Sequence, residues 1–74
     1  MSGQGFGIGL RIAHRRLELK LTQVELAREL KVPASQLSHW ETGRRLPNAA
    51  NLRNICRTLT VSADWILGLD DPNG

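Results

Sequence analysis

The chain has 74 residues, 41% of them hydrophobic, and a net charge of +3, a composition that fits one small globular domain. A chain of this size buries only about 60% of the surface it exposes when unfolded, too little core to enclose a deep catalytic pocket, so neither an enzyme nor a cofactor is expected. No apolar run approaches the roughly 18 residues of a membrane span, the first residues lack the basic-then-apolar pattern of a secretory signal, and Cys56 with only His14 and His39 beside it makes neither an intrachain disulfide nor a zinc set. The expectation is a cytoplasmic protein, without metal or membrane partner, held together by packing.

The charges are unevenly placed. Residues 11–45 carry Arg11, Arg15, Arg16, Lys20, Arg28, Lys31, Arg44 and Arg45 against Glu18, Glu25, Glu29 and Glu41, whereas residues 46–74 carry Arg53 and Arg57 against Asp64, Asp70 and Asp71. The basic part is therefore expected to meet an anion, although nucleic acid, anionic lipid and plain solvation all suit a basic face.

Residues 1–7 read as a flexible glycine-rich arm. Gly3, Gly5, Gly7 and Gly9 do not follow G-x-G-x-x-G and no strand precedes them. Residues 1–10 also lack the Arg or Lys that a minor-groove arm would use. From Ile8 to Leu21, the apolar residues Ile8, Ile12, Leu17, Leu19 and Leu21 predict a first helix with basic residues interleaved. Thr22-Gln23-Val24-Glu25 is a capping box that starts a second helix, with Leu21 and Leu26 at the positions of a hydrophobic staple. Pro33 interrupts it, because proline removes a backbone donor and pushes the preceding residue out of the helical region. A third helix follows with Leu37 and Trp40 facing inward, and Gly43 stops it. Asn48 caps a fourth helix whose apolar residues Leu52, Ile55, Cys56 and Leu59 fall at i, i+3, i+4 and i+7, and Ser62 caps a short fifth one around Trp65, Ile66 and Leu67. The domain is expected to span residues 8–69, followed by a tail over 70–74.

Two short helices around a tight turn, the second exposing small polar residues, fit a major groove of about 12 Å. At this point the residues strongly resemble a known family. Leu21-Thr22-Gln23-Val24-Glu25-Leu26-Ala27, then Val32, Leu37-Ser38, Trp40-Glu41-x-Gly43, Pro47, Leu52, Ile55, Leu59 and Val61-Ser62 stand at the offsets of the Cro/CI-like phage repressors, also called the xenobiotic-response-element (XRE) helix-turn-helix family. The resemblance covers about residues 8–69. It implies an all-α, five-helix, lambda-repressor-like DNA-binding domain whose helix-turn-helix is formed by helices 2 and 3.

Carried over residue by residue, the resemblance implies that Ala34, Ser35, Ser38 and His39 face base edges from a recognition helix over about residues 34–42. Gln23 would meet a phosphate together with the N–H groups that start helix 2. Thr42, Arg44 and Arg45 would hold the DNA backbone on the other side of the groove, with Arg11 and Arg15 assisting from helix 1. Arg16 and Glu41 match a family ion pair that bridges helix 1 to the end of the recognition helix, an orienting role. The implied function is a transcriptional repressor or regulator of phage or bacterial type. It would act as a homodimer on a palindromic operator in double-stranded DNA, its half-sites roughly 34 Å apart. Leu67, Leu69 and the region of helices 4 and 5 form the expected dimer surface. An antitoxin-type autorepressor with a small toxin partner is the nearest alternative, and a protein-interaction module on the same fold is an alternative of another class.

The sequence departs from the family pattern at Lys20, Lys31 and Thr60, where glycine is usual, which leaves two alternatives: turns of another shape, or strained left-handed ones. Pro33 stands where a Ser or Thr cap is usual, and Ala34 replaces a long amide, leaving methyl contact with thymine in place of hydrogen bonding. Trp40 and Trp65 lie on apolar faces at core spacing and read as packing residues, as does Cys56. His14, Arg53 and Arg57 read as solvated. Ser38 and His39 resemble a nucleophile and base only by adjacency, since successive helical residues point about 100° apart and no orienting acid is evident.

Overall fold

The computed structural model describes residues 4–69, residues 4–6 by backbone alone. Five α-helices make up the described chain: α1 (Gln4–Glu18), α2 (Gln23–Leu30), α3 (Ala34–Glu41), α4 (Ala49–Leu59) and α5 (Ala63–Leu67). The starts of α2, α4 and α5 are fixed by side chains that satisfy otherwise orphaned backbone N–H groups. Thr22, Asn48 and Ser62 accept from the N–H groups of Glu25, Asn51 and Trp65 at 3.0, 2.8 and 3.0 Å. The predicted capping box is complete, because Glu25 Oε1 accepts from the Thr22 N–H at 2.8 Å. That backbone hydrogen bond, and then the Thr22 side chain, holds the Glu25 carboxyl below its ordinary value. The contribution of the box is thus present above the usual carboxylate range and is lost as pH falls through the lowered folded value.

All the described helices end in the same way. Lys20, Lys31, Gly43, Thr60 and Gly68 adopt left-handed backbone with φ between 58° and 81°. Each donates its N–H to a carbonyl three residues back, and the residue after it donates to one five residues back, as in Val32 to Ala27 at 3.0 Å and Val61 to Cys56 at 3.0 Å. These paired bonds are the Schellman arrangement, which also folds the following apolar residue inward; Leu21, Val32 and Val61 accordingly pack against the core. The open question at Lys20, Lys31 and Thr60 is thus answered: the turns keep the glycine-type shape without glycine.

The core is one cluster. Ile12, Leu26, Leu37, Ile55, Leu59 and Ile66 are completely buried, with Ala27, Leu30 and Trp40 nearly so. Each fully buried aliphatic side chain is worth roughly 1.5–3 kcal/mol relative to exposure. Helix α1 lies against α3 and α5, α2 against α3 and α4, and α4 against α5, so every helix contributes to the same interior. The predicted stripe of the first helix is only partly right: Ile12 is buried, but Leu17 is 62% exposed, and Arg16 takes the inward position next along the face.

The expected arm over residues 1–7 differs from what is found. Helix α1 begins at Gln4, so residues 4–7 are helical, while residues 1–3 and the expected tail over 70–74 lie outside the described residues. Packing overrides the poor helix propensity of the glycines here. Gly9 is buried where α1 crosses the end of α3, and a Cβ there would fall on the carbonyls of Trp40 and Glu41, 2.5 Å from the Glu41 oxygen.

Two stability measurements check these assignments. Thr60→Gly is expected to raise the melting temperature by about 4–8 °C, through relief of roughly 1 kcal/mol of left-handed strain on a β-branched residue; an unchanged or lower value means the strain is absent. Gly9→Ala is expected to cost about 3 kcal/mol or more in urea unfolding, because backbone rather than a flexible side chain must give way. A cost under about 1 kcal/mol would show that α1 can shift freely on α3.

Candidate nucleic-acid interface

The three helices that build the site meet at one buried polar cluster. Glu41, only 8% exposed at the end of α3, accepts from Arg16 Nε on Oε2 at 2.8 Å and from Arg16 Nη2 on Oε1 at 3.1 Å. Arg16 Nη1 donates to the Leu21 carbonyl at 2.8 Å, tying the α1–α2 turn to the same guanidinium. Gln23 Nε2 donates to Glu41 Oε1 at 2.9 Å from the first residue of α2. The expected ion pair is therefore present and bidentate, and it is joined by a side chain expected to meet phosphate instead. Gln23 uses one of its amide hydrogens on Glu41, and the second remains available to an outside acceptor.

Helix α3 turns Leu37, Trp40 and Glu41 inward. On its other side Ser35 is exposed, Ser38 and His39 are half-exposed, and Ala34 is half-buried with its methyl group packed against the core. The four residues expected to read bases thus share the outward side, with Ala34 the least available. Pro33 holds the N-cap position with extended backbone and makes no side-chain cap, so the first turn of α3 retains free N–H groups. Gln36, to which the sequence reading gave no role, lines a hollow with Trp40, Arg45, Leu46, Asn48 and Asn51 and extends the polar surface toward α4. Only the fold brings these segments together, so no local signal marks it.

The cations divide into two sets. Arg44 and Arg45 are exposed, and among the described residues neither is in an ion pair. Both of their backbone N–H groups donate to the His39 carbonyl, at 2.9 and 3.2 Å. Arg11 and Arg15, expected to assist at phosphates, are engaged within the chain instead. The Arg11 guanidinium lies over the Trp65 ring, 5.3 Å from its centroid. Arg15 Nε donates to the Leu59 carbonyl at 2.9 Å, at the negative end of α4, and Arg15 Nη1 pairs with Glu18 at 3.2 Å. Thr42 is likewise committed, its hydroxyl donating to the Ser38 carbonyl at 2.9 Å, so it finishes α3 rather than offering a donor outward. Burial pushes the Cys56 thiol up, away from the thiolate form. Among the described residues no group of His, Cys, Asp and Glu is placed to hold a metal, and no helix is long and apolar enough to cross a membrane.

A family model described as helix-turn-helix matches residues 12–66. The chain belongs to the XRE-type helix-turn-helix family. It is 39% identical over 71 residues to the HTH-type transcriptional regulator DicA of Escherichia coli K12, covering 96% of this chain and 53% of that protein. It is 35% identical over 60 residues to the repressor protein C2 of Salmonella phage P22, covering 81% of this chain and 28% of that one. The chain thus spans about half of one of these relatives and just over a quarter of the other. Its fold superposes with a TM-score of 0.81 and 35% identity on the crystal structure of the P22 c2 repressor in complex with a synthetic operator, covering 85% of this chain and 96% of that one. The helix-turn-helix of this family member is α2, the turn Lys31-Val32-Pro33 and α3.

Glu41→Leu is expected to destabilise the fold by about 3–5 kcal/mol, since it strands the Arg16 charge in a nearly closed site. Combining it with Arg16→Met is expected to cost far less than the two single changes added together. Equilibrium urea unfolding of the four proteins checks this, and simple additivity would mean that the pair is not coupled.

Proposed function

We propose that this helix-turn-helix protein binds double-stranded DNA sequence-specifically and regulates transcription as a homodimer on a palindromic operator. The observation that carries the reading is the outward side of α3: Ser35, Ser38 and His39 project from a helix whose opposite side is locked into the core, beside Arg44 and Arg45, which are in no ion pair among the described residues. Small polar side chains on a helix suit base edges, while the arginines suit phosphates, which set register without reading sequence. The likeness to a repressor solved on its operator supports the same reading.

Division of labour follows. Ser35, Ser38 and His39 select bases and Ala34 offers a methyl group, whereas Arg44, Arg45 and the free Gln23 amide hydrogen hold phosphates. A dimer placing one α3 in each of two major grooves requires half-sites about 34 Å apart, and occupancy of such a site excludes polymerase from an overlapping promoter without any chemistry. Of the four arginines expected at phosphates, Arg11 and Arg15 are engaged inside the chain, which leaves Arg44 and Arg45 in each subunit. The dimer's log–log salt slope is therefore expected near −4, shallower than the value near −6 that three or four cationic contacts per subunit would give.

Selection of bound duplexes from a random pool, followed by titration of the variants in increasing salt, tests the proposal. Ser35→Ala and His39→Ala are expected to change base preference at one or two positions, and Arg44→Ala to weaken all duplexes about equally while reducing the salt slope. A flat salt dependence with no enriched sequence would favour a protein-interaction module instead.

A further inference from the structure

We propose that the outward side of α1 is a docking seam for an acidic amphipathic helix of a partner protein, anchored by Leu10 and Leu17 and selected for charge by Arg11. Gly7, Leu10, His14 and Leu17 succeed one another at intervals of 3, 4 and 3 residues, which keeps them on one stripe that a second helix can follow. All four are exposed, Leu10 at 51% and Leu17 at 62%, while α1 buries Ile12 on its other side. Apolar side chains gathered on one exposed stripe mark an interaction surface, whereas single scattered ones do not. This stripe is also concave. With Arg11 and Trp65 it lines an open hollow of about 650 Å³, and a Cβ placed on Gly7 would meet nothing within 4 Å, so a helix can approach that end closely.

Charge decides which helix fits. Two of the arginines on α1 are answered within the chain, Arg15 by Glu18 at 3.2 Å and Arg16 by Glu41 at 2.8 Å. Arg11 lines the hollow and is in no ion pair among the described residues. Trp65 holds its guanidinium from one face, 5.3 Å from the ring centroid, while the hydrogen-bonding edge of that group lies in its own plane and matches a carboxylate. Glu18, the one acid on α1, is already shared between Arg15 and His14, 3.3 Å away. A second copy laid α1 on α1 would therefore bring arginine to arginine without a free carboxylate, so a different, acidic partner is the better match. Helix α1 meets α3 through Gly9, under the Trp40 and Glu41 carbonyls, and through Arg16. A helix along Leu10 and Leu17 thus leaves Ser35, Ser38 and His39 uncovered, and the seam stands apart from the proposed DNA contacts.

The test titrates the full chain with a lactam-bridged helical peptide that carries leucines on one face and glutamates beside them, and with its twin in which lysine replaces glutamate. Saturable shifts of the Leu10 and Leu17 methyl resonances and of the Trp65 indole N–H are expected with the glutamate peptide, while the indole of the buried Trp40 stays in place. The lysine twin is expected to bind about ten-fold more weakly, since it exchanges attraction at Arg11 for repulsion. Leu10→Gln combined with Leu17→Gln is expected to lose about ten-fold or more in peptide affinity, with an unchanged melting temperature because both side chains are already exposed. Should that double variant fail to fold, Arg11→Gln carries the test, and it is expected to make the two peptides bind alike. Peptide affinity is expected to be the same with and without bound duplex. Absence of saturable shifts, equal binding of the two peptides to the wild-type chain, or displacement of the peptide by duplex would each overturn the proposal, the last by placing the peptide on the α3 side. A sedimentation equilibrium constant for self-association that falls in the leucine double variant would make a second copy the occupant and overturn it as well.

Discussion

The bidentate pair between Arg16 and Glu41 is the constraint on which the arrangement of the helix-turn-helix depends. One guanidinium holds the end of α3 through Glu41 and the α1–α2 turn through the Leu21 carbonyl, and the same carboxylate holds the start of α2 through Gln23. Helix α3 has eight residues and no side-chain N-cap, so its intrinsic stability is marginal. Its orientation comes from Leu37 and Trp40 on one side and from this cluster at its end. A buried ion pair of this kind adds little net stability over an apolar replacement, because desolvation offsets the attraction. What it contributes is direction: Glu41 left without Arg16 would be a stranded charge, so arrangements of α3 that break the pair are strongly disfavoured. The groove-facing side chains inherit that fixed direction.

The helix ends extend the same rigidity outward. After α3 the chain turns through Gly43, and the backbone N–H groups of Arg44 and Arg45 both close on the His39 carbonyl. Arg44 and Arg45 therefore move with α3, at fixed backbone distance from a residue that faces outward. At this turn the left-handed residue is glycine, which reaches positive φ without steric cost. At the turns that carry Lys20, Lys31 and Thr60 instead, the left-handed strain is offset by packing of Leu21, Val32 and Val61 into the core.

Much of this was legible in the sequence where the signal is local. The capping box at Thr22 and Glu25 and the caps at Asn48 and Ser62 each need only a side chain three residues from its partner. The apolar spacing of α4 likewise lies within the helix that uses it. The Arg16–Glu41 pair was legible only through resemblance to the family, since 25 residues separate the partners. Gly9 was given no packing role because its reason lies 31 residues away, in the carbonyls of Trp40 and Glu41 against which α1 rests. The contacts of Arg11 with Trp65 and of Arg15 with Leu59 were not legible for a related cause. Sequence gives the sign of a charge but not its direction, and on a helix that touches α3 on one side and α5 on another, the direction decides the partner.

That direction changes the electrostatic reading of the whole chain. Residues 11–45 look like a strong basic face by composition, yet Arg11 is spent on Trp65, Arg15 on Leu59 and Glu18, and Arg16 on Glu41. Cations held on internal acceptors release few counterions when a duplex arrives, so they add little to non-specific affinity. On the proposed reading, the energy of binding must then come in larger share from base edges met by Ser35, Ser38 and His39 and from joining two subunits on one site. Both sources depend on geometry more than on charge. A protein that anchors weakly to any duplex and depends on correctly placed pairs of subunits gains discrimination between sites, because fewer phosphate contacts are shared by right and wrong sequences alike.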